Sequence, residues 1–96
     1  MPAPSFAEFR DQALADGYAE VLERNWAADA IVPSHTHPFA LTAIVAAGEM
    51  WLEVDGQTRH LLPGDRFELS FEQVHAEHYG PAGATYWVAR RNLSRT

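Results

Sequence analysis

Residues 35–56 read HTHPFALTAIVAAGEMWLEVDG, and this stretch decides the predicted fold. Two β-strands are predicted in it, at Thr42–Ala47 and Glu49–Val54, because both runs are short and contain β-branched or aromatic residues. The side chains of the second run alternate in character, which is typical of a strand with one buried face. The Asp55-Gly56 pair that follows is a strong signal of a hairpin turn. The stretch therefore predicts β-structure with a tight turn.

The rest of the chain shows the same pattern. Further strands are predicted at Tyr18–Trp26, Ala30–Val32, Thr58–Leu62, Arg66–Ser70, Val74–Tyr79 and Thr85–Arg90. Turn residues separate some of these runs, at Pro63-Gly64-Asp65 and at Gly80-Pro81-Ala82-Gly83. Seven or eight short strands at this spacing indicate an all-β sandwich or barrel, formed by residues 18–96.

The N-terminal segment, residues 1–17, is predicted to contain a short helix. Ser5 and Glu8 have the spacing of a capping box, and the apolar residues within 6–14 recur at helical spacing. Gly17 suits the left-handed conformation that often follows a helix end. We therefore expect one helix before a single β-domain.

Composition restricts the chemistry and the partners. The chain has 96 residues, no cysteine and no lysine, since all seven basic residues are arginine. Disulfides, thiolate metal ligands and a Schiff-base lysine are thereby excluded. The formal net charge of −6 makes a nucleic-acid partner unexpected. The longest mostly apolar stretch, Phe39–Ala47, is too short to span a bilayer, and the start of the chain does not resemble a secretory signal. We expect a cytoplasmic protein with no membrane partner.

Histidine is the remaining residue type that could form a metal site or a catalytic site. Four of the five histidines lie in two short stretches. His35 and His37 are at positions i and i+2, so both imidazoles lie on one face of an extended strand and can reach one metal ion. A third ligand must come from elsewhere, and His75 and His78 are the candidates. If their segment is a strand, these two point to opposite faces and only one can join the site. We expect His60 at the surface.

The spacing of these residues resembles the two motifs of the cupin superfamily. His35 and His37 match the His-x-His pair of the first motif, and Gly48 matches the glycine that closes it. Gly64 matches the opening of the second motif, and counting forward from it places the motif histidine on His75. The resemblance covers about residues 20–90 and implies a small antiparallel jelly-roll barrel.

The resemblance also implies a metal site. It assigns His35, His37 and His75 as ligands of a divalent ion, which could be Fe, Zn, Ni, Cu or Mn. The motif glutamate falls on Leu41, so the carboxylate ligand is missing, and the asparagine of the second motif falls on Tyr79. Three neutral imidazoles leave the metal its full charge and open positions for another ligand.

Glu77 and Tyr79 are the candidate catalytic residues, because both share a strand face with His75. Glu77 could serve as a general base, as a partner of a metal ligand or as a substitute ligand, and the alternative is a solvated residue at the barrel rim. Tyr79 could donate a hydrogen bond to a substrate oxygen, and the alternative is a packed core residue. We expect a metal-dependent enzyme of the dioxygenase, isomerase or lyase type that acts on a small molecule. The alternative is a non-catalytic module that binds or senses a small molecule or a metal, and the residues alone leave open whether the protein is an enzyme.

A homodimer is expected under either hypothesis. So small a barrel gains from burying its exposed strand edges. The large apolar side chain of Trp51 is a candidate for the interface.

Overall fold

The computed structural model describes residues 4–91. One helix, α1 (Phe6–Ala15), precedes six strands in this part of the chain: β1 (Glu20–Trp26), β2 (Ile31–His35), β3 (Ala40–Val54), β4 (Gln57–Leu61), β5 (Arg66–Leu69) and β6 (His75–Arg91). Every strand pair is antiparallel. The predicted all-β fold with a short N-terminal helix is confirmed.

The two long strands, β3 and β6, form the centre of the sheet. They pair along almost their full length, from Ala40 opposite Arg91 to Val54 opposite His75. The first half of β6 also pairs with β2 and its second half with β1. In the same way the first half of β3 pairs with β5 and its second half with β4. Each long strand is thus shared by two groups of strands, as expected for an antiparallel jelly roll.

The predicted number of strands was too high, because two predicted breaks do not exist. Thr42–Ala47 and Glu49–Val54 are both parts of β3, and Val74–Tyr79 and Thr85–Arg90 overlap the single strand β6. The turn predicted at Gly80-Pro81-Ala82-Gly83 is therefore wrong. Glycine and proline were interpreted locally as ending a strand, whereas here they lie within a continuous one.

Glycines form the bend at which β3 and β6 change partners. The pairing register shifts on either side of Gly48, whose φ is +75°. A Cβ atom at this position would lie 2.1 Å from the carbonyl oxygen of Gly83, which itself has a φ of +71°. A Cβ atom on Gly83 would in turn lie 2.2 Å from the carbonyl oxygen of Trp26, so neither strand tolerates a side chain here. The motif glycine bends the strand without ending it.

The core lies on the inner face of the barrel. Its buried residues come from β3, β4, β5 and β6: Leu41, Ala43, Val45, Met50, Leu52, Leu61, Phe67, Leu69, Tyr79, Ala84, Tyr86 and Val88. They alternate along the two long strands, as the period of two requires.

The helix α1 packs on the opposite face of β3 and β6. The capping box between Ser5 and Glu8 is present, with both reciprocal hydrogen bonds. Phe9 and Ala13 are buried against Ile44 and Ala89, which point away from the inner core. Among residues 4–91 no helix is long and apolar enough to cross a membrane.

Candidate metal centre

Three histidines converge at one end of the inner face. His35 is the last residue of β2, and its Cα lies opposite that of His75, the first residue of β6. His37 follows in the connection to β3. The ring centroids are separated by 4.2 Å for His35 and His75, by 4.7 Å for His35 and His37, and by 5.1 Å for His37 and His75. One nitrogen from each ring lies within 4.8 Å of the other two, so the group could hold a metal ion.

Backbone carbonyls orient two of these rings. Nδ1 of His35 lies 2.8 Å from the carbonyl oxygen of Pro33, and Nδ1 of His75 lies 2.9 Å from that of Gln73. A carbonyl oxygen only accepts hydrogen bonds, so each Nδ1 donates and each neutral ring carries its lone pair on Nε2. Nε2 of His75 is buried, and Oε2 of Glu77 lies 3.3 Å from it. A buried ring nitrogen beside two other imidazoles and a carboxylate fits a metal ligand.

A buried carboxylate lies beside the histidines. Oε2 of Glu77 is 3.3 Å from Nε2 of His75 and 3.8 Å from Nε2 of His35. The other oxygen, Oε1, accepts a hydrogen bond from the hydroxyl of Tyr79. Burial by itself would raise the pKa of Glu77, but the contacts with His75 and Tyr79 outweigh it, so this pKa is lowered and the carboxylate is ionised at neutral pH.

The histidines differ in how easily they are protonated. Burial lowers the pKa of His37, and the neighbouring His35 and His75 lower it further. Burial also acts to lower the pKa of His75, yet the Glu77 carboxylate and the Gln73 carbonyl overcome this effect, and the pKa is raised. His37 therefore stays neutral, and thus able to bind a metal, to a lower pH than His75.

Tyr79 is a buried phenol that remains protonated. Burial raises its pKa far above the usual value, and the nearby Tyr86 and Glu77 add to this effect. The Tyr79 ring also stacks on Trp26, with 5.1 Å between ring centroids. The tyrosine therefore acts as a fixed hydrogen-bond donor to Glu77 and not as an acid.

The other two histidines lie outside this group. His78 points to the outer face of the sheet, where it stacks on Trp51, and His60 stacks on Trp51 from the neighbouring strand. Nε2 of His60 also lies 2.6 Å from a carboxylate oxygen of Glu49. Of the two candidates for the third ring, the structure brings in His75 and leaves out His78.

Sequence reasoning missed one charged group near the histidines. The ring of Phe39 stacks on His37 with 4.9 Å between centroids, and the guanidinium of Arg90 lies 4.6 Å from the centroid of Phe39. The alternation within the predicted strand Thr85–Arg90 was the signal that could have placed this arginine on the inner face. Two cavities, of about 360 and 380 Å³, lie elsewhere, near α1 and around Tyr18. None of the histidines lines either cavity.

Comparison with known proteins identifies the domain type. Residues 17–91 match the family described as AraC-like ligand binding domain. None of the curated proteins matches the chain. Among solved structures, an RmlC-like cupin from Shewanella frigidimarina NCIMB 400 is 21% identical with a TM-score of 0.68, over 78% of this chain and 67% of that one. KdgF from Halomonas sp. is 20% identical with a TM-score of 0.65, over 77% and 69% of the two chains.

A third neighbour is the DMSP lyase DddQ from Ruegeria pomeroyi DSS-3, which is 26% identical with a TM-score of 0.65 over 79% of this chain. The present chain spans only 40% and 38% of the DMSP lyase chains that it matches. These likenesses establish the cupin fold. The family match covers more than half of the chain and includes all three converging histidines. The chain therefore belongs to the family of AraC-like ligand-binding domains, which here has the fold of a small cupin.

Proposed function

We propose that this domain binds one divalent metal ion through His35, His37 and His75 and acts on a small molecule held at that metal, as a lyase or an isomerase. The observation that carries the proposal is the convergence of three imidazoles beside a buried, ionised carboxylate. A charged group that can accept a proton favours these two reaction types over oxygen insertion.

The donor set suits a transition metal. Imidazole nitrogen is a good ligand for Fe, Zn, Ni and Cu. The hydrogen bonds to the carbonyls of Pro33 and Gln73 hold the Nδ1 protons away from the site. Such fixed tautomers are typical of histidines that ligate metals. The bound ion would polarise an oxygen of the small molecule and so acidify the neighbouring C–H bond.

Glu77 is the proposed proton acceptor. Its Oε1 is held by the Tyr79 hydroxyl, which leaves Oε2 directed at the histidines. The lowered pKa keeps the carboxylate charged, and its burial removes competing water. Tyr79 positions this carboxylate, and because its pKa is raised it keeps its proton throughout.

Solvent-deuterium exchange tests the proposal without knowledge of the natural substrate. The zinc-loaded protein is incubated in D₂O with a panel of 2-oxo acids and 2-hydroxy acids. Proton NMR follows the loss of the signal from the hydrogens on the carbon next to the carbonyl or hydroxyl group. The wild type is expected to catalyse exchange, and Glu77→Gln to lose about 10²–10⁴-fold of that rate while it keeps the metal. Tyr79→Phe is the matched control: it removes the hydrogen bond to Glu77 but keeps the carboxylate, so we expect a smaller loss of exchange rate. Exchange at the wild-type rate in Glu77→Gln would exclude this role.

A second candidate is a non-catalytic module that binds a small molecule or metal for sensing. The description of the matched family as a ligand-binding domain favours it. This candidate predicts that calorimetry detects binding of zinc and of at least one acid of the panel, and that no variant catalyses deuterium exchange. Exchange by the wild type would rule it out.

The partners follow from the same proposal. The DMSP lyases among the structural neighbours act on a small molecule, and we propose a small-molecule partner for this domain too. We also propose a cytoplasmic homodimer with no nucleic-acid or membrane partner, on the grounds of the acidic net charge and the small size of the barrel.

A further inference from the structure

We propose that the small molecule carries a carboxylate group and that Arg90 binds this carboxylate while the other end of the molecule lies at the metal. The inference rests on the proposed metal-centred function and names the class of ligand. Arg90 is then the residue that determines specificity for an anionic ligand.

The position of Arg90 in the sheet puts its side chain on the inner face. Tyr86 and Val88 belong to the inner core, and Arg90 is the next residue in the same alternation along β6. Its Cα also lies opposite that of Leu41, another residue of the inner core. Arg90 therefore continues the lining that begins with the histidines at the other end of β6.

One aromatic ring connects Arg90 to the proposed metal ligands. The Phe39 ring stacks almost parallel on His37, with an angle of 11° between the planes. The guanidinium of Arg90 contacts the same Phe39 ring. The Phe39 ring therefore contacts both His37 and Arg90 and connects the surroundings of the two side chains.

The guanidinium has unused hydrogen-bonding capacity. A guanidinium carries five N–H donors, and the Nε of Arg90 is buried with no hydrogen-bond partner among residues 4–91. Nη1 donates one long hydrogen bond, of 3.3 Å, to Oε1 of Glu20. The Glu20 side chain is 58% exposed, so this ion pair is weak.

The ligand chemistry follows from charge and space. Guanidinium groups bind carboxylates through two parallel hydrogen bonds, which is the pairing that Glu20 makes only in part. A cavity of about 210 Å³ opens beside Arg90 and is lined by Ala19, Glu20, Pro38 and Phe39. In a protein of net charge −6, an anion needs a local positive group in order to bind. We assign Glu20 as the internal competitor that a ligand carboxylate displaces.

The test compares two probes that differ in one negative charge and one methyl group. Succinate and monomethyl succinate are titrated by calorimetry into the zinc-loaded protein. The wild type is expected to bind succinate about 10- to 100-fold more tightly than the ester, which is the loss expected when a charge-assisted hydrogen-bonded pair is removed. Arg90→Gln is expected to reduce this preference to about twofold or less. Arg91→Gln makes the same charge change on the opposite face, where Arg91 contacts Tyr18, and should keep the preference.

A second variant keeps the test independent of the stability of Arg90→Gln. Glu20→Gln removes the competing carboxylate from an exposed position, and we expect succinate to bind several-fold more tightly. Equal binding of the two probes by the zinc-loaded wild type, or no binding of either, overturns the role of Arg90 and leaves the metal site standing. Failure of the wild type to bind zinc overturns the proposed function itself. An unchanged succinate affinity in Glu20→Gln also contradicts the inference.

Discussion

Gly48→Ala should destabilise the protein far more than the same change at Gly56. Both glycines have a positive φ, +75° and +78°, so alanine costs about 1–2 kcal/mol at either position because an L-residue is strained there. At Gly56, in the hairpin, the new methyl group meets no atom within 4 Å. At Gly48 it would lie 2.1 Å from the carbonyl oxygen of Gly83 and 2.8 Å from Cα of Ala84. Both are backbone atoms, so relief requires the two central strands to separate, which we expect to cost about 1–3 kcal/mol more.

Urea unfolding followed by tryptophan fluorescence measures both values. We expect the free energy of unfolding to fall by about 2–5 kcal/mol in Gly48→Ala and by about 1–2 kcal/mol in Gly56→Ala. A total stability of about 5–15 kcal/mol is usual, so the first variant loses a large fraction of it. If the two variants differ by less than about 0.5 kcal/mol, the close approach of β3 and β6 at this bend is wrong.

Three further predictions concern the helix, a buried phenol and the outer face. Phe9→Ala should lower the free energy of unfolding by about 3–5 kcal/mol, because Phe9 is buried between α1 and the sheet. Calorimetry should show an unchanged zinc affinity in this variant. A loss of zinc binding would contradict the separation of the helix from the metal site. Burial raises the pKa of Tyr86, so as the pH rises this phenol ionises in the unfolded protein before it ionises in the folded one. Above about pH 10 the free energy of unfolding should therefore fall, by up to about 1.4 kcal/mol per pH unit for this residue. Urea titrations at several pH values should show a shallower fall in Tyr86→Phe, and an identical slope would refute the assignment. Sedimentation equilibrium should give the mass of two chains for the wild type and of one for Trp51→Glu; a wild-type mass near 10.7 kDa would contradict the homodimer.

Short sequence motifs correctly predicted the elements whose geometry depends only on residues close together in the chain. The hairpin at Asp55-Gly56 is present, with positive φ at both residues, because this turn is determined by two residues alone. The capping box between Ser5 and Glu8 formed for the same reason. The continuity of β6 could not be seen in this way, because Gly83 at a bulge and a glycine in a turn have the same sequence signature.

The candidate site was predictable in part. Spacing alone paired His35 with His37, and the cupin resemblance selected His75 as the third ring. Strand alternation placed Glu77 on the correct face, but its distance to the histidines depends on how β2 pairs with β6, which no local pattern encodes. Arg90 belongs to no motif, and its proximity to His37 depends on the intervening ring of Phe39.

The metal content of the protein tests the account most directly. The untagged protein is purified, exposed to excess zinc, dialysed and analysed by mass spectrometry for bound metal, with His75→Ala and the outer-face variant His78→Ala treated in parallel. We predict about one equivalent of metal in the wild type and in His78→Ala, and a large loss in His75→Ala, because only His75 faces the other two rings. Less than about 0.1 equivalent in the wild type, or equal occupancy in the two variants, would contradict the three-histidine centre.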